Sequence, residues 1–394
     1  MHNSSSPVAL LALGTAVPKY MVNQAQLCTW MIEALGNEPY LGRWLRYLYR
    51  ASGINTRYSC LPDAELPAQE SRFSPSRLQS DTPGTAERMA IYERASVQLG
   101  LAAARNSIEQ RSQMTGRHED ELRAGITHLI VVSCTGFFAP GLDFMIAREL
   151  GLSSSVQRTL IGFMGCAAAF NALRLAKQFI QADASAQVLV VCVELCTLHI
   201  QSGKERINLT VGALFADGAA ACLVGQPEVN DTNIFVIDRF YTHMLPATED
   251  DMVWKIGDHG FLMGLSPEIP RLLAAVAPGA LQTLFGLQQR PAFWAIHPGG
   301  RSIVDQLEAV FKLRPDELLA TRSVLRDYGN MSSPTILFVL QRLQQQLQAQ
   351  ASQSIAQQGV AMAFGPGLVT EMLQLSYIPA VDVANLAELA CAVA

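Results

Sequence analysis

The sequence predicts an α/β protein with buried strands, and three observations carry that expectation. Short β-branched runs alternate with longer stretches of helical periodicity. Of the 394 residues, 49% are hydrophobic and only 16% charged, enough apolar surface for a large core and an oligomer interface besides. The runs are bounded by glycine-rich turns, as buried strands usually are.

Taken in order, Val8 to Val17 lacks a basic flank and is too short to span a bilayer, so it reads as a first buried strand. Residues 61–85, rich in Pro, Ser, Asp and Arg, read as a surface excursion before a helix over Ala86–Ile108. Buried strands are expected at His128–Cys134, Val188–Glu194, Ala219–Val224, Ile234–Phe240, Ala292–Ile296 and Val360–Phe364. Further helices are expected at Ala167–Ile180, Ser302–Phe311 and Pro334–Gln348, the last with Ser333 as N-cap and proline at its first position. The glutamine-rich run Gln341–Gln358 finishes that helix and enters a loop. The turn region Pro227–Asn233 divides the chain into halves, 1–229 and 230–394. Each half ends in a similar Gly-rich strand pair, Gly212–Gly225 and Gly359–Gly367, which hints at an internal duplication.

The net charge of −5 argues against nucleic acid or an anionic membrane as the main partner, so any basic site for a phosphorylated cofactor must be local. Eight cysteines spread over the chain are not a disulfide framework. Cys192 and Cys196 are four apart, but no second Cys/His pair at metal-ligand spacing accompanies them, which argues against zinc. Reduced thiols in a cytoplasm are the simpler reading, with no targeting signal and no transmembrane helix.

Three residues could do chemistry. Cys166, in Gly162-Phe163-Met164-Gly165-Cys166-Ala167, sits where a strand-like run turns through glycine into a helix. Unpaired N–H groups and the helix dipole there favour a thiolate, although a buried inert cysteine is the default for most of the others. His297, in Ile296-His297-Pro298-Gly299-Gly300, closes an apolar strand and opens a Gly-rich turn. It could hold a thiolate and donate to a developing oxyanion, or be a satisfied core residue. Asn330, in Tyr328-Gly329-Asn330-Met331-Ser332-Ser333-Pro334, could cap a turn or donate to an enolate oxygen without adding charge.

Together, in this order and these contexts, the three resemble the Cys-His-Asn triad of the thiolase-fold condensing enzymes. The resemblance runs from Gly14-Thr15-Ala16-Val17-Pro18 to the strand near Tyr377. Phe364-Gly365-Pro366-Gly367-Leu368 looks like the GFGPGL signature of chalcone-synthase-like enzymes, with Ala363 where that family has glycine, and Asp217-Gly218-Ala219-Ala220 after Leu214-Phe215 also fits. The resemblance implies a thiolase-like fold of duplicated αβαβα five-layered architecture and the activity of a type III polyketide synthase. It casts Cys166 as acyl-carrying nucleophile, His297 and Asn330 as the pair that decarboxylates malonyl-CoA, and Phe215 and Phe261 as gatekeepers beside the coenzyme A tunnel. It also places Ser332, Gly365 and Pro366 at the pocket. It implies a homodimer fed by acyl-CoA and malonyl-CoA, with no metal or redox cofactor.

Pocket positions differ from the plant enzymes. Ala139 replaces a methionine that reaches toward the partner's cavity, Cys196 and His199 stand where threonines are usual, and Met252 where glycine is usual. Thr135, Ala139 and Cys196 look like the tunnel-lining set of bacterial long-chain alkylpyrone synthases. Gly257-Asp258-His259-Gly260-Phe261 resembles alkylresorcinol- and alkylpyrone-forming relatives. These features imply a medium- or long-chain fatty acyl starter, whereas Met252 should narrow one side of the cavity. Arg46 and Arg50 fall near the family's coenzyme A-binding positions but out of register, and Gly300 and Arg301 are the other candidates. The competing readings are an initiating ketosynthase that uses malonyl-acyl carrier protein for one condensation, a papain-like hydrolase and a non-catalytic partner subunit.

Overall fold

The apolar run after Pro7 forms strand β1 (Ala9–Ala16), with its first six residues buried. The computed structural model describes residues 6–286, 289–350 and 356–380. A small layer follows: β2 (Tyr20–Asn23), helices α1 (Gln24–Ala34) and α2 (Pro39–Ala51), and β3 (Thr56–Ser59), which pairs antiparallel with β2. Asn23 caps α1, its side-chain oxygen accepting from the amides of Ala25 and Gln26. Next come α3 (Thr85–Thr115), α4 (Glu119–Gly125), β4 (His128–Ser133), α5 (Leu142–Leu150), β5 (Gln157–Gly162) and α6 (Ala168–Ala182). The first half closes with β6 (Val188–Leu195), α7 (Arg206–Leu214) and β7 (Asp217–Gly225). After it come β8 (Ile234–Met244), the hairpin β9 (Met252–Gly257) and β10 (Gly260–Leu265), α8 (Ile269–Phe285), β11 (Trp294–Ile296), α9 (Arg301–Phe311), α10 (Leu319–Tyr328), α11 (Thr335–Ala349), β12 (Gln357–Gly365) and β13 (Val369–Ile378).

Nine of the described strands make one mixed sheet in the order β11-β12-β13-β8-β1-β7-β6-β4-β5. Its seam is the short antiparallel contact of β1 with β8, where Ala9 faces Val236 and Leu10 faces Phe235. Outward from the seam the two sides repeat each other. β1 is followed by antiparallel β7, then antiparallel β6, then parallel β4. β8 is followed by antiparallel β13, then antiparallel β12, then parallel β11. That shared order and sense is the signature of a duplicated fold, with β5 extending the first side alone.

Side-chain alternation sets the layers. Leu10, Ile130 and Val190 pack on α6 and α11, while Leu11, Val131 and Val191 pack on α3 from the opposite face. In the second half Ala361 and Ala363 join the α6–α11 core, and Met362 and Phe364 face α8 and α9. The layers therefore run α, β, α, β, α, the thiolase-like architecture. Strands buried on both faces read as continuous apolar runs. Alanines at 168, 169, 172 and 176, all fully buried, let α6 lie close to the strands of both halves.

Several expectations are corrected. Helix α11 starts at Thr335, and Ser333 does not cap it: the Ser333 hydroxyl donates instead to the Glu194 carboxylate at 2.6 Å. Gly212–Gly225 is a helix end and one strand rather than a strand pair, and Gly359–Gly365 lies within a single strand. The 61–85 segment is not all surface, since Leu61, Ser71, Phe73 and Ser74 are buried and Asp63 binds the Ser71 hydroxyl at 2.6 Å. Part of the glutamine-rich run lies outside the described residues. Among the described residues no helix is long and apolar enough to cross a membrane, and no group of three or more His, Cys, Asp or Glu side chains could hold a metal ion.

Candidate active site

The nucleophile turn is built by close approach of two glycine-bearing loops. After β5 the backbone is left-handed at Phe163 (φ 55°) and Gly165 (φ 65°), then makes one 3-10 turn, Gly165–Ala167, into α6. A Cβ at Gly165 would lie 2.3 Å from Pro366 Cδ, so the Gly-Pro-Gly loop between β12 and β13 seats directly on this turn. Cys166 is 7% exposed. Burial pushes its thiol up to about 11, with the Glu194 carboxylate acting in the same direction. The hydrogen-bonding groups of Ser332 and Asn330 and the Cys166 amide oppose that rise. The expectation that the helix terminus alone lowers this thiol is therefore overturned, because desolvation outweighs it.

Asn330 occupies the turn between α10 and α11, and strand-like contacts with the end of α7 fix it. Its amide donates to the Leu214 carbonyl at 3.0 Å and its carbonyl accepts from Ala216 at 2.9 Å. The side chain is held at both ends: Nδ2 donates to the Gly299 carbonyl at 3.0 Å, and Oδ1 accepts from the Ser332 amide at 2.8 Å. Ser332 itself is left-handed (φ 59°), a strained turn that puts its hydroxyl beside Cys166.

His297 leaves β11 with its amide bonded to the Met362 carbonyl at 2.8 Å. The side chain is buried, and neither ring nitrogen has a hydrogen-bond partner. Burial pushes the imidazole down to about 3, so in the resting site it is neutral. Its ring edge passes 3.7 Å from a Cβ placed on Gly299, the residue whose carbonyl anchors Asn330. The structure thus brings Cys166, Asn330 and the His297–Gly299 turn together. His297 and Asn330 are each 1% exposed and sit behind the cavity wall, whereas Cys166 and Ser332 form part of it.

That cavity, about 760 Å³ with its mouth, is lined by eight of the ten positions expected there: Thr135, Cys196, His199, Phe215, Met252, Phe261, Ser332 and Pro366. Gly365 lies behind, against the Met164 carbonyl. Ala139, also expected there, is exposed and does not line this cavity. Phe261 is fully buried and stacks on His199, ring centroids 4.2 Å apart. His199 Nδ1 accepts from the Phe261 amide at 2.9 Å, and Nε2 donates to the Thr135 carbonyl at 2.7 Å, which assigns the neutral tautomer. Hairpin β9–β10 roofs the cavity, and the Trp254 indole donates to the Cys134 carbonyl at 2.7 Å. None of the four coenzyme A candidates lines this cavity. Arg46 and Arg50 are exposed on α2, and Arg301 lies across Gly53 and binds Asp305 at 3.3 Å. Gly300 is buried at the start of α9 in extended backbone.

Glu194 is the site residue that sequence reasoning missed. Its buried carboxylate accepts from the Cys134 amide (2.9 Å), the Thr135 hydroxyl (2.8 Å) and the Ser333 hydroxyl (2.6 Å). Burial pushes it up to about 7, against those three donors. The available signal was a lone charge ending the otherwise apolar run Val188–Leu195.

Comparison with known proteins agrees with this architecture. Residues 1–227 match the N-terminal domain of the chalcone and stilbene synthases, and residues 237–379 match their C-terminal domain. The chain belongs to the chalcone and stilbene synthase family. It is 31% identical over 366 residues to the alpha-pyrone synthesis polyketide synthase-like protein Pks18 of Mycobacterium tuberculosis, covering 91% of this chain and 88% of that one. It is 30% identical to type III polyketide synthase C of Arabidopsis thaliana, covering 92% and 93%. The crystal structure of PKS-I from the brown alga Ectocarpus siliculosus superposes with a TM-score of 0.83 at 29% identity, covering 96% of this chain and all of that one. Members of this family are condensing acyltransferases of the type III polyketide synthase kind, and so is this chain.

Proposed function

We propose that this synthase loads a medium- or long-chain fatty acyl group from coenzyme A onto Cys166, extends it with malonyl-CoA and cyclises the product to an alkylpyrone or alkylresorcinol. The observation that carries the reading is the Asn330 carboxamide, tethered to Gly299, near enough to Cys166 to favour its thiolate and beside an imidazole with two unpartnered nitrogens. A buried polar ring without a partner is costly unless a ligand completes it.

The chemistry follows from that arrangement. The His297 imidazole takes the Cys166 proton as sulfur attacks the acyl-CoA carbonyl, and returns it to the departing coenzyme A sulfur. Malonyl-CoA then loses CO2, and the electron pair of the broken bond becomes an enolate. An N–H of neutral His297 and one of Asn330 donate to the enolate oxygen, and neutral donors in a dry site stabilise it without reorganising. The enolate carbon attacks the Cys166 thioester, sulfur leaves as thiolate, and the chain is two carbons longer. Lactonisation to a pyrone is favoured over aldol closure by the likeness to the alpha-pyrone protein.

A homodimer fits the surface. Strand β5 is a sheet edge with Leu160 exposed, and Phe137, Phe163 and Met164 are exposed around the nucleophile turn. An apolar edge of this kind calls for a second copy. In this reading the boundary lies between residues 229 and 230, with the nucleophile in the first half and its two partners in the second. Free thiols at seven described cysteines fit a reducing cytoplasm. The test is incubation with malonyl-CoA and a fatty acyl-CoA, without carrier protein, and mass analysis of the products. Multiply extended products support the proposal. Absence of any product extended more than once would favour an initiating ketosynthase.

A further inference from the structure

We infer that Arg88 assists ring closure electrostatically: its buried positive charge stabilises the enolate of the extended chain from behind the cavity wall. This rests on the reading that Cys166 carries a malonyl-extended chain. Three arginines are buried among the described residues, Arg57, Arg88 and Arg111. Arg111 pairs with Asp231, and Arg57 has the Asp217 carboxylate close by. Arg88 is 1% exposed and has no carboxylate partner, since the adjacent Glu87 is turned to solvent and binds Arg72 at 2.7 Å. An unpaired buried charge is costly, and the fold avoids it at the other two.

The Arg88 guanidinium is wedged between the wall and the roof of the reaction cavity. Nη1 donates to the Ile200 carbonyl at 2.9 Å and to the Leu198 carbonyl, and Nε donates to the Pro83 carbonyl at 2.8 Å. His199, Ile200 and Gln201 line the cavity. A Cβ on Gly260 would lie 3.0 Å from Nη1, so the β9–β10 hairpin rests on the guanidinium. The Phe73 ring covers it from another side, 5.0 Å away. Hydrogen bonding alone calls for no charge here, because a neutral amide also offers two N–H donors. What the charge adds is a field, which acts through a residue's thickness of low-dielectric protein. The carbonyls turn their negative ends to the guanidinium and their peptide N–H ends away, so positive potential is passed outward. Burial pushes the His199 imidazole down to about 3, and the Arg88 charge acts in the same direction, so the field reaches the wall.

The anion that arises in this cavity is the extended chain itself. Two condensations leave a 1,3-dicarbonyl beyond the thioester, and its central C–H is acidic because both oxygens share the resulting charge. Positive potential shifts that equilibrium toward the enolate. The enolate oxygen attacks the thioester carbonyl carbon, the C–S bond breaks, and sulfur leaves as thiolate. The proton lost from carbon ends on that sulfur, so a lactone and a free Cys166 thiol form with no further reactant. Arg88 touches none of the reacting atoms and acts through the wall, which makes it a positioning residue rather than a catalytic one.

The test follows the chain on Cys166 in full-length Arg88→Gln and Arg88→Lys. Protein is mixed with hexanoyl-CoA and malonyl-CoA and quenched at intervals. Groups on Cys166 are weighed by intact-protein mass spectrometry, and released pyrone is quantified. In Arg88→Gln the twice-extended chain should accumulate, while starter loading stays close to wild type. Pyrone release should fall about tenfold, the Coulomb effect of one charge at roughly 12 Å and an effective dielectric of about 20. Arg88→Lys keeps the charge and should recover release to within about threefold of wild type by the same relation. Wild-type release by Arg88→Gln overturns the inference, as does an equal loss of every step in both variants, the mark of a purely structural role. A second measurement needs no variant: wild type should bind 4-hydroxy-6-methyl-2-pyrone, an enol ionised at neutral pH, about tenfold tighter than its neutral 4-methoxy ether. Equal affinities overturn the inference. Wild-type protein that never carries a twice-extended chain overturns the proposed function, and this inference with it, a result distinct from slow release.

Discussion

Replacing His297 with glutamine leaves Cys166 a buried thiol without the imidazole proposed to take its proton. Its ordinary value is 9.0 and burial pushes it up to about 11. That rise is worth about 2.7 kcal/mol against the thiolate, and leaves roughly one site in ten thousand ionised at pH 7. In the wild type the proposed acceptor of that proton is the His297 imidazole, in the turn whose Gly299 carbonyl anchors Asn330. Burial pushes the imidazole down to about 3 when alone, yet an imidazolium formed by transfer from Cys166 faces the thiolate it created, and each charge then stabilises the other. The assay is iodoacetamide alkylation of the Cys166 peptide, followed by mass spectrometry across pH 6 to 11. In His297→Gln the rate should climb about tenfold per pH unit without a plateau below about pH 11. Wild type should react faster at pH 7 and level off at lower pH. Coincident profiles in the two proteins would refute a proton-accepting role for His297.

Other consequences are equally specific. Gly165→Ala forces a left-handed alanine against Pro366, at about 1–2 kcal/mol for the backbone and about 1–3 kcal/mol for the overlap. Thermal unfolding should register a clear drop, and an unchanged midpoint would contradict the packing of these two loops. Glu194 binds its proton more tightly folded than unfolded, because burial pushes it from 4.5 to about 7. Its contribution is therefore fully favourable below pH 4.5 and is lost as pH rises to 7, by about 3 kcal/mol. Glu194→Gln should remove that slope in denaturant titrations, leaving the variant relatively more stable at pH 7 than at pH 4.5. His199→Leu strands the Thr135 carbonyl and the Phe261 amide, and should cost about 2–4 kcal/mol in the same titration.

Much of this was legible because burial writes itself into sequence. Strands covered on both faces must be apolar throughout, so Val188–Glu194 and His128–Cys134 announce themselves within a residue or two of β6 and β4. The chemistry-bearing residues stood at the ends of such runs beside glycine. What stayed hidden depends on contacts distant in the chain. Ser333 has the sequence context of a cap, yet Glu194, 139 positions away, takes its hydroxyl. The β9–β10 hairpin is half-exposed and lacks a clean alternation, and α8 contains Pro278, which sequence rules treat as a breaker. The rise of the Cys166 thiol was invisible for the same reason: a helix terminus is local, while desolvation is imposed by the β12–β13 loop and the 330–332 turn.

The most direct measurement separates CO2 release from carbon–carbon bond formation. Malonyl-CoA decarboxylation and condensation are followed in parallel for wild type, Cys166→Ala and Asn330→Ala. Cys166→Ala should still release CO2 and yield acetyl-CoA while forming no extended product, because the enolate site is intact and only the acyl carrier is missing. Asn330→Ala should lose both activities. Condensation by Cys166→Ala, or CO2 release by Asn330→Ala at the wild-type rate, would contradict the assignment of these side chains to one site.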